Sequence, residues 1–207
     1  MESLSPITPA LLAGAMTYNQ FMVVSHERFA QHLTTSDDPH YNTDQILGFT
    51  KLNFSRMARL DKTTVLTADV LDALMQIREP WIWLVLVESW CGDVAQIVPV
   101  MKHMADRSGK IDLRLLLRDQ NLPVMDAYKT NGGRAIPKLI CLRQGDLTEL
   151  GTWGPRPAAL QTEMNAWKLE NIPFDMVIER AHGWYAKDHT QHTQAELALK
   201  IQEWAAE

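Results

Sequence analysis

Apolar residues recur at helical spacing from Pro9 to about Leu33, with Leu12, Met16, Val23 and Phe29 among them, which predicts a helix. Thr34-Thr35-Ser36-Asp37-Asp38-Pro39 follows as a loop rich in turn formers. A second helix is predicted from Asp44 to about Leu60. A third starts near Thr67, an N-cap residue with Asp69 in the first turn, and ends before Pro80. The period then changes. Trp81-Ile82-Trp83-Leu84-Val85-Leu86-Val87 is continuous, apolar and rich in aromatic and β-branched residues, the pattern of a strand buried on both faces.

A helix from about Gly92 to Arg107 follows, closed at Ser108-Gly109, and then a strand from Ile111 to Leu117. Asn121 to Lys129 reads as a short helix ended by Asn131-Gly132-Gly133. Lys138 to Leu142 and Leu147 to Leu150 flank Gln144-Gly145-Asp146 as a hairpin. After Gly154-Pro155-Arg156-Pro157 a helix runs to about Lys168. Residues 80–168 therefore predict an α/β unit ordered strand, helix, strand, helix, strand, strand, helix, a right-handed βαβ unit followed by an antiparallel pair. Residues 1–76 form a helical N-terminal extension, 77–169 the core, and 170–207 a helical C-terminal extension packed on it. Leu197, Ile201 and Trp204 make the apolar stripe of the last helix.

Composition narrows the function classes. The chain has 207 residues, 46% hydrophobic and 22% charged, an ordinary globular profile. A net charge of −5 argues against nucleic-acid or anionic-membrane partners. The apolar run Trp81 to Val87 falls far short of the roughly 20 residues that span a bilayer. No Lys or Arg precedes Arg28 and Glu2 is acidic, so the basic start of an export signal is missing. Two cysteines are no disulfide scaffold, and a cytoplasmic location is expected.

The chemistry concentrates at Ser89-Trp90-Cys91-Gly92-Asp93, where the first strand hands over to its helix. A sulfur there lies near unpaired helix N–H groups and the positive end of the dipole, both of which favour the thiolate. A lone cysteine is also commonly a small buried apolar residue. Trp90-Cys91-Gly92, with the strand before and the helix after, resembles the active-site turn of the thioredoxin superfamily. Asp119-Gln120-Asn121 is similar to the segment after that family's second strand, and Gly133-Arg134-Ala135-Ile136-Pro137 to the approach to its cis-proline. Over nearly the whole chain, Arg56 to Lys62, Leu115 to Asp119, Asn131 to Arg134 and Gly151 to Pro157 resemble a bacterial thioredoxin-like group with a single-cysteine W-C-G-D motif. The resemblance implies a thioredoxin-like fold, βαβαββα, with helical extensions at both ends. It also implies Cys91 as nucleophile, Pro137 facing it after a cis bond, and Trp90, Gly92, Ile136 and Trp153 along a substrate groove served by β-augmentation. Trp153 reads equally well as an ordinary packed aromatic.

The departures from the family pattern shape the functional expectation. Val94 stands where thioredoxins carry the resolving cysteine, and Val85 where they keep a buried acid. Lys138 follows the proline, where Thr is common. Cys141 would lie about 13 Å along a strand from Pro137 at ~3.3 Å per residue, too far for a disulfide that needs Cα atoms within about 7 Å. Asp93 either stabilises the helix start or handles the thiol proton, while its charge would oppose the thiolate; Glu88 is a second acid for that role. Arg118, Arg134, Lys138 and Arg156 could bind the carboxylates of a thiol such as glutathione, or be solvated loop charges. His182, His189 and His192 near Asp188 and Glu196 have no recognised zinc spacing, so neither a metal nor a resident cofactor is expected. Two functions follow. One is monothiol thiol–disulfide exchange through Cys91 on a protein or small-molecule disulfide, resolved by an external low-molecular-weight thiol. The other is a binding or adaptor protein with a redox-inert Cys91. The helical flanks offer surface for a partner or a homodimer.

Overall fold

The computed structural model describes residues 6–207; Glu2 of the export argument lies outside them. Strand β1 (Trp81–Val87) is buried at every position because it lies inside the sheet. β2 (Ile111–Leu117) pairs parallel to it, Trp81 opposite Ile111 and Val87 opposite Leu117. On the other side β3 (Lys138–Arg143) runs antiparallel with Trp83 opposite Cys141, and β4 (Glu149–Trp153) runs antiparallel to β3. The order β2-β1-β3-β4 is that of a thioredoxin-like sheet. The parallel pair is joined by α5 (Gly92–Ser108), which Gly109 terminates at φ 63°. α6 (Leu122–Ala127) and α7 (Ala158–Leu169) complete the core order.

The N-terminal extension departs from its expected form. Pro9 to Leu33 is two helices, α1 (Pro9–Gly14) and α2 (Tyr18–Ala30). Met16 leaves the helical path to pair with Leu115, exchanging backbone bonds of 2.8 and 2.7 Å along the edge of β2. An unpaired sheet edge is a liability, and this bridge covers part of it. Thr17 then restarts the helix through a capping box with Gln20, a signal present in Thr17-Tyr18-Asn19-Gln20 but masked by the apolar spacing. α3 (Asp44–Thr63) and α4 (Ala68–Met75) follow, with Thr67 accepting from the Val70 N–H as the expected N-cap. In the hairpin, Leu147 sits at φ 60° inside the turn, so β4 starts two residues later than the apolar pattern suggests.

α8 (Phe174–Asp188) and α9 (Gln191–Ala205) form the tail. Leu197, Ile201 and Trp204 are buried, and the Trp204 ring meets Trp81 edge-on at 6.4 Å. Gly151, at φ 152°, lies so close beneath the Trp204 indole that a Cβ there would overlap its nitrogen. The buried Gln194 accepts from the Thr67 N–H at 2.8 Å and donates to the Val65 carbonyl at 3.1 Å. The last helix is thus fastened to the N-terminal segment as well as to the sheet.

Candidate functional site

Cys91 is the N-cap of α5, and its thiol donates to the Ile136 carbonyl at 3.3 Å. The Ile136–Pro137 bond is cis, so the fold brings together the cysteine and the segment expected to face it. The sulfur is buried. Burial first and the Asp93 charge second push the Cys91 thiol up to about 12, against the opposing pull of the Val94 and Asp93 amides and of Arg156. The helix-start effect expected from sequence is present, and desolvation outweighs it.

Asp93 is held from two sides. Arg156 Nε donates to it at 2.9 Å and the Tyr185 hydroxyl at 2.7 Å. Arg156 also donates to the Gln161 amide oxygen at 2.7 Å, so its fork is committed. Trp90 is stacked on Tyr41 with ring centres 4.2 Å apart and planes within 9°. Arg118 lies 4.8 Å from the Trp90 ring centre, a cation–π contact, and pairs with Asp119 at 2.7 Å. A Cβ on Gly92 would stand 2.6 Å from the His182 ring, so glycine is what lets α8 approach the turn. Burial and the nearby Arg56 lower His182 to about 4, leaving it neutral at physiological pH.

Glu88 is fully buried. It accepts from the Asp119 N–H at 2.9 Å and pairs closely with the Thr35 hydroxyl, which itself takes the Ser89 N–H at 2.9 Å. Burial raises Glu88 to about 7. Its side-chain bonds clamp the loop carrying Tyr41 to the strand end before Cys91. The remaining sequence-derived residues have other partners. The Trp153 indole, on β4, is buried and donates to Glu196 at 2.9 Å; Trp153 is not among the residues lining the cavity beside Cys91. Cys141 is buried in β3, and both cysteines are free. Arg134 forks onto Asp126 at 2.7 and 2.8 Å. The amine of the buried Lys138 donates to the Thr130 hydroxyl at 3.4 Å. Among the described residues no group of three His, Cys, Asp or Glu is placed to hold a metal, and no helix is long and apolar enough to cross a membrane.

Above Cys91 lies a cavity of about 320 Å³. Trp90, Cys91, Gly92 and Asp93 form one side of it; Tyr41, Ile46 and Phe49 come from the N-terminal extension, and Phe174, Ile178 and His182 from α8. Tyr41, Thr35, Tyr185 and His182 escaped sequence reasoning as parts of this site. Each lies on an extension, far along the chain from Cys91, and no local spacing ties it there; the glycine after Cys91 was the one trace of a close neighbour.

The family model for thioredoxin matches residues 41–168, and the chain belongs to that family. A crystal structure of a protein of unknown function from Pseudomonas aeruginosa is similar to it, with a TM-score of 0.59 and 16% identity over 95% of this chain and 98% of the other. An HIV epitope-scaffold gives 0.51 and 16% over 90% and 98%. At such identity the likeness is one of fold. No curated protein matches the chain.

Proposed function

We propose that this thioredoxin-family chain is a binding protein whose Cys91 is kept as a neutral, slow-reacting thiol, within the single-cysteine W-C-G-D group that the sequence resembles. The observation that carries the reading is the donated bond from the Cys91 sulfur to the Ile136 carbonyl inside a covered site, since a sulfur that donates holds its proton. Magnitudes support it. Raising a thiol from 9.0 to about 12 cuts its thiolate at neutral pH about a thousandfold, and the gain in nucleophilicity recovers only part, leaving reaction slower by a few tens of fold. Asp93 is bound by Arg156 and Tyr185, which ties up the carboxylate that could have carried the proton.

Monothiol exchange is the second reading, favoured by the presence of Cys91 on the cavity wall with α5 amides beside it. In that cycle the Cys91 thiolate attacks one sulfur of a bound disulfide and expels the other as a thiolate. An external thiolate then attacks the mixed disulfide and returns Cys91. The rate of iodoacetamide alkylation against pH, measured on Cys141→Ser with Cys91→Ser as blank, separates the two. Binding predicts a Cys91 pKa above 9 and slow labelling. A value below the roughly 8.5 of a free thiol overturns it in favour of exchange.

A further inference from the structure

The geometry points to the chemistry of the occupant: the cavity over Cys91 takes a small, uncharged, apolar molecule, an aromatic or mid-length aliphatic compound, and excludes charged thiols such as glutathione. This rests on the binding reading and names the ligand class of the same site.

Size comes first. A volume of about 320 Å³ is at the small end of ordinary ligand pockets, which run from about 300 to 1,000 Å³. Access comes second. In an open thioredoxin-like groove an extended peptide would pair with backbone beside the cis-proline. Here the Ile136 carbonyl already accepts the Cys91 thiol, Tyr41 covers Trp90, and α3 and α8 close over the turn. A folded protein cannot reach Cys91 past these elements, whereas a small molecule has a flank to enter by. Met164, Phe174 and Val177 line both this cavity and a neighbouring depression between α7 and α8, and Phe174 is 71% exposed.

Charge comes third. The cavity's acid and guanidinium, Asp93 and Arg156, satisfy each other, with Tyr185 and Gln161 taking their remaining bonds. The Asn53 amide donates to the Ser89 carbonyl at 3.0 Å and its oxygen accepts from Arg56 at 2.8 Å. His182 is neutral and contacts Gln96. Among the described residues lining the wall no free cation offers a carboxylate its counter-charge, and a charge buried without a partner is costly. His40 is exposed and pairs with Asp38 at 2.8 Å, and the rest of the wall is Tyr41 and Trp90 rings, Cys91, Gly92 and Ile, Phe, Met, Val and Ala side chains.

The test uses a matched pair of fluorescent probes, neutral N-phenyl-1-naphthylamine and its anionic relative 1-anilinonaphthalene-8-sulfonate, titrated into the full chain. We expect saturable binding of the neutral probe, at least about ten-fold tighter than the sulfonate, consistent with the cost of an unpaired buried charge. Excess glutathione should not displace it. Ala181→Trp and Ile46→Trp, which fill the cavity from two sides, should each weaken binding by at least about ten-fold. If either tryptophan variant fails to fold by circular dichroism, the other variant and the probe pair on the natural chain still decide. The inference is overturned if the neutral probe does not bind, binds no better than the sulfonate, yields to glutathione, or binds both folded tryptophan variants like the natural chain. Cys91 acidity, read by alkylation, fails or survives separately from these outcomes.

Discussion

Cys91 carries two opposed electrostatic influences, and their sizes set its behaviour. The α5 amides favour the thiolate, as a helix start should, yet removing the sulfur from water costs more, and Asp93 adds to that cost. Asp93→Asn removes the second contribution and leaves the first. Its Cys91 pKa should fall while staying above that of a free thiol, and iodoacetamide labelling at pH 8 should speed up several-fold; an unchanged rate would assign the whole effect to burial. Gly92 is a second residue whose role is steric. Gly92→Ala places a methyl against the His182 ring and should cost about 1–3 kcal/mol in denaturant unfolding, the ordinary penalty for overpacking.

Between elements, the Glu88 clamp joins the loop of residues 33–42 to the end of β1. Its folded-state value of about 7 lies above the ordinary 4.5, so the folded chain keeps the proton longer than the unfolded one. The stability it contributes is fully present below pH 4.5 and is lost as pH rises through about 7, on the order of 3 kcal/mol across that window. His182 acts with the opposite sign. Its value is depressed to about 4, so its contribution is present above pH 6.5 and lost as pH falls through 4. The two partly cancel in the natural chain. Glu88→Gln, which mimics the protonated acid, should therefore gain stability relative to the natural chain at pH 8 and match it near pH 4, as read by urea unfolding at each pH. Equal differences at both pH values would show that Glu88 does not titrate in this range. Tyr41→Ala acts on the same loop: removing the ring stacked on Trp90 lets water nearer to Cys91, so its labelling should speed up and its pKa should fall towards that of a free thiol.

For the whole molecule, the C-terminal helices are structural parts of the core. Trp204 is buried against Trp81, and Gln194 satisfies backbone groups at Val65 and Thr67. Trp204→Ala should lose about 3–5 kcal/mol, measured by chemical denaturation, because a buried aromatic leaves a cavity that the rigid β4 backbone at Gly151 cannot collapse into. A loss below 1 kcal/mol would mean that α9 rests on the sheet without contributing to its stability.

Local information was enough for much of this. The apolar run at Trp81–Val87, the Gly109 stop and the Thr67 cap each act through nearest neighbours in the chain, and the elements follow from them. The turn holding Cys91 and the cis Ile136–Pro137 bond beside it were legible through the thioredoxin resemblance. What the sequence could not carry was the environment of the sulfur. Whether a helix start lowers a thiol's pKa or burial raises it depends on how much water the rest of the chain excludes. That exclusion comes from Tyr41, Phe49 and α8, brought over Cys91 from both ends. Likewise Asp93 was readable as a free proton carrier until Arg156 and Tyr185 closed on it. Desolvation and long-range pairing are properties of the packed volume, and only the tertiary structure decides them.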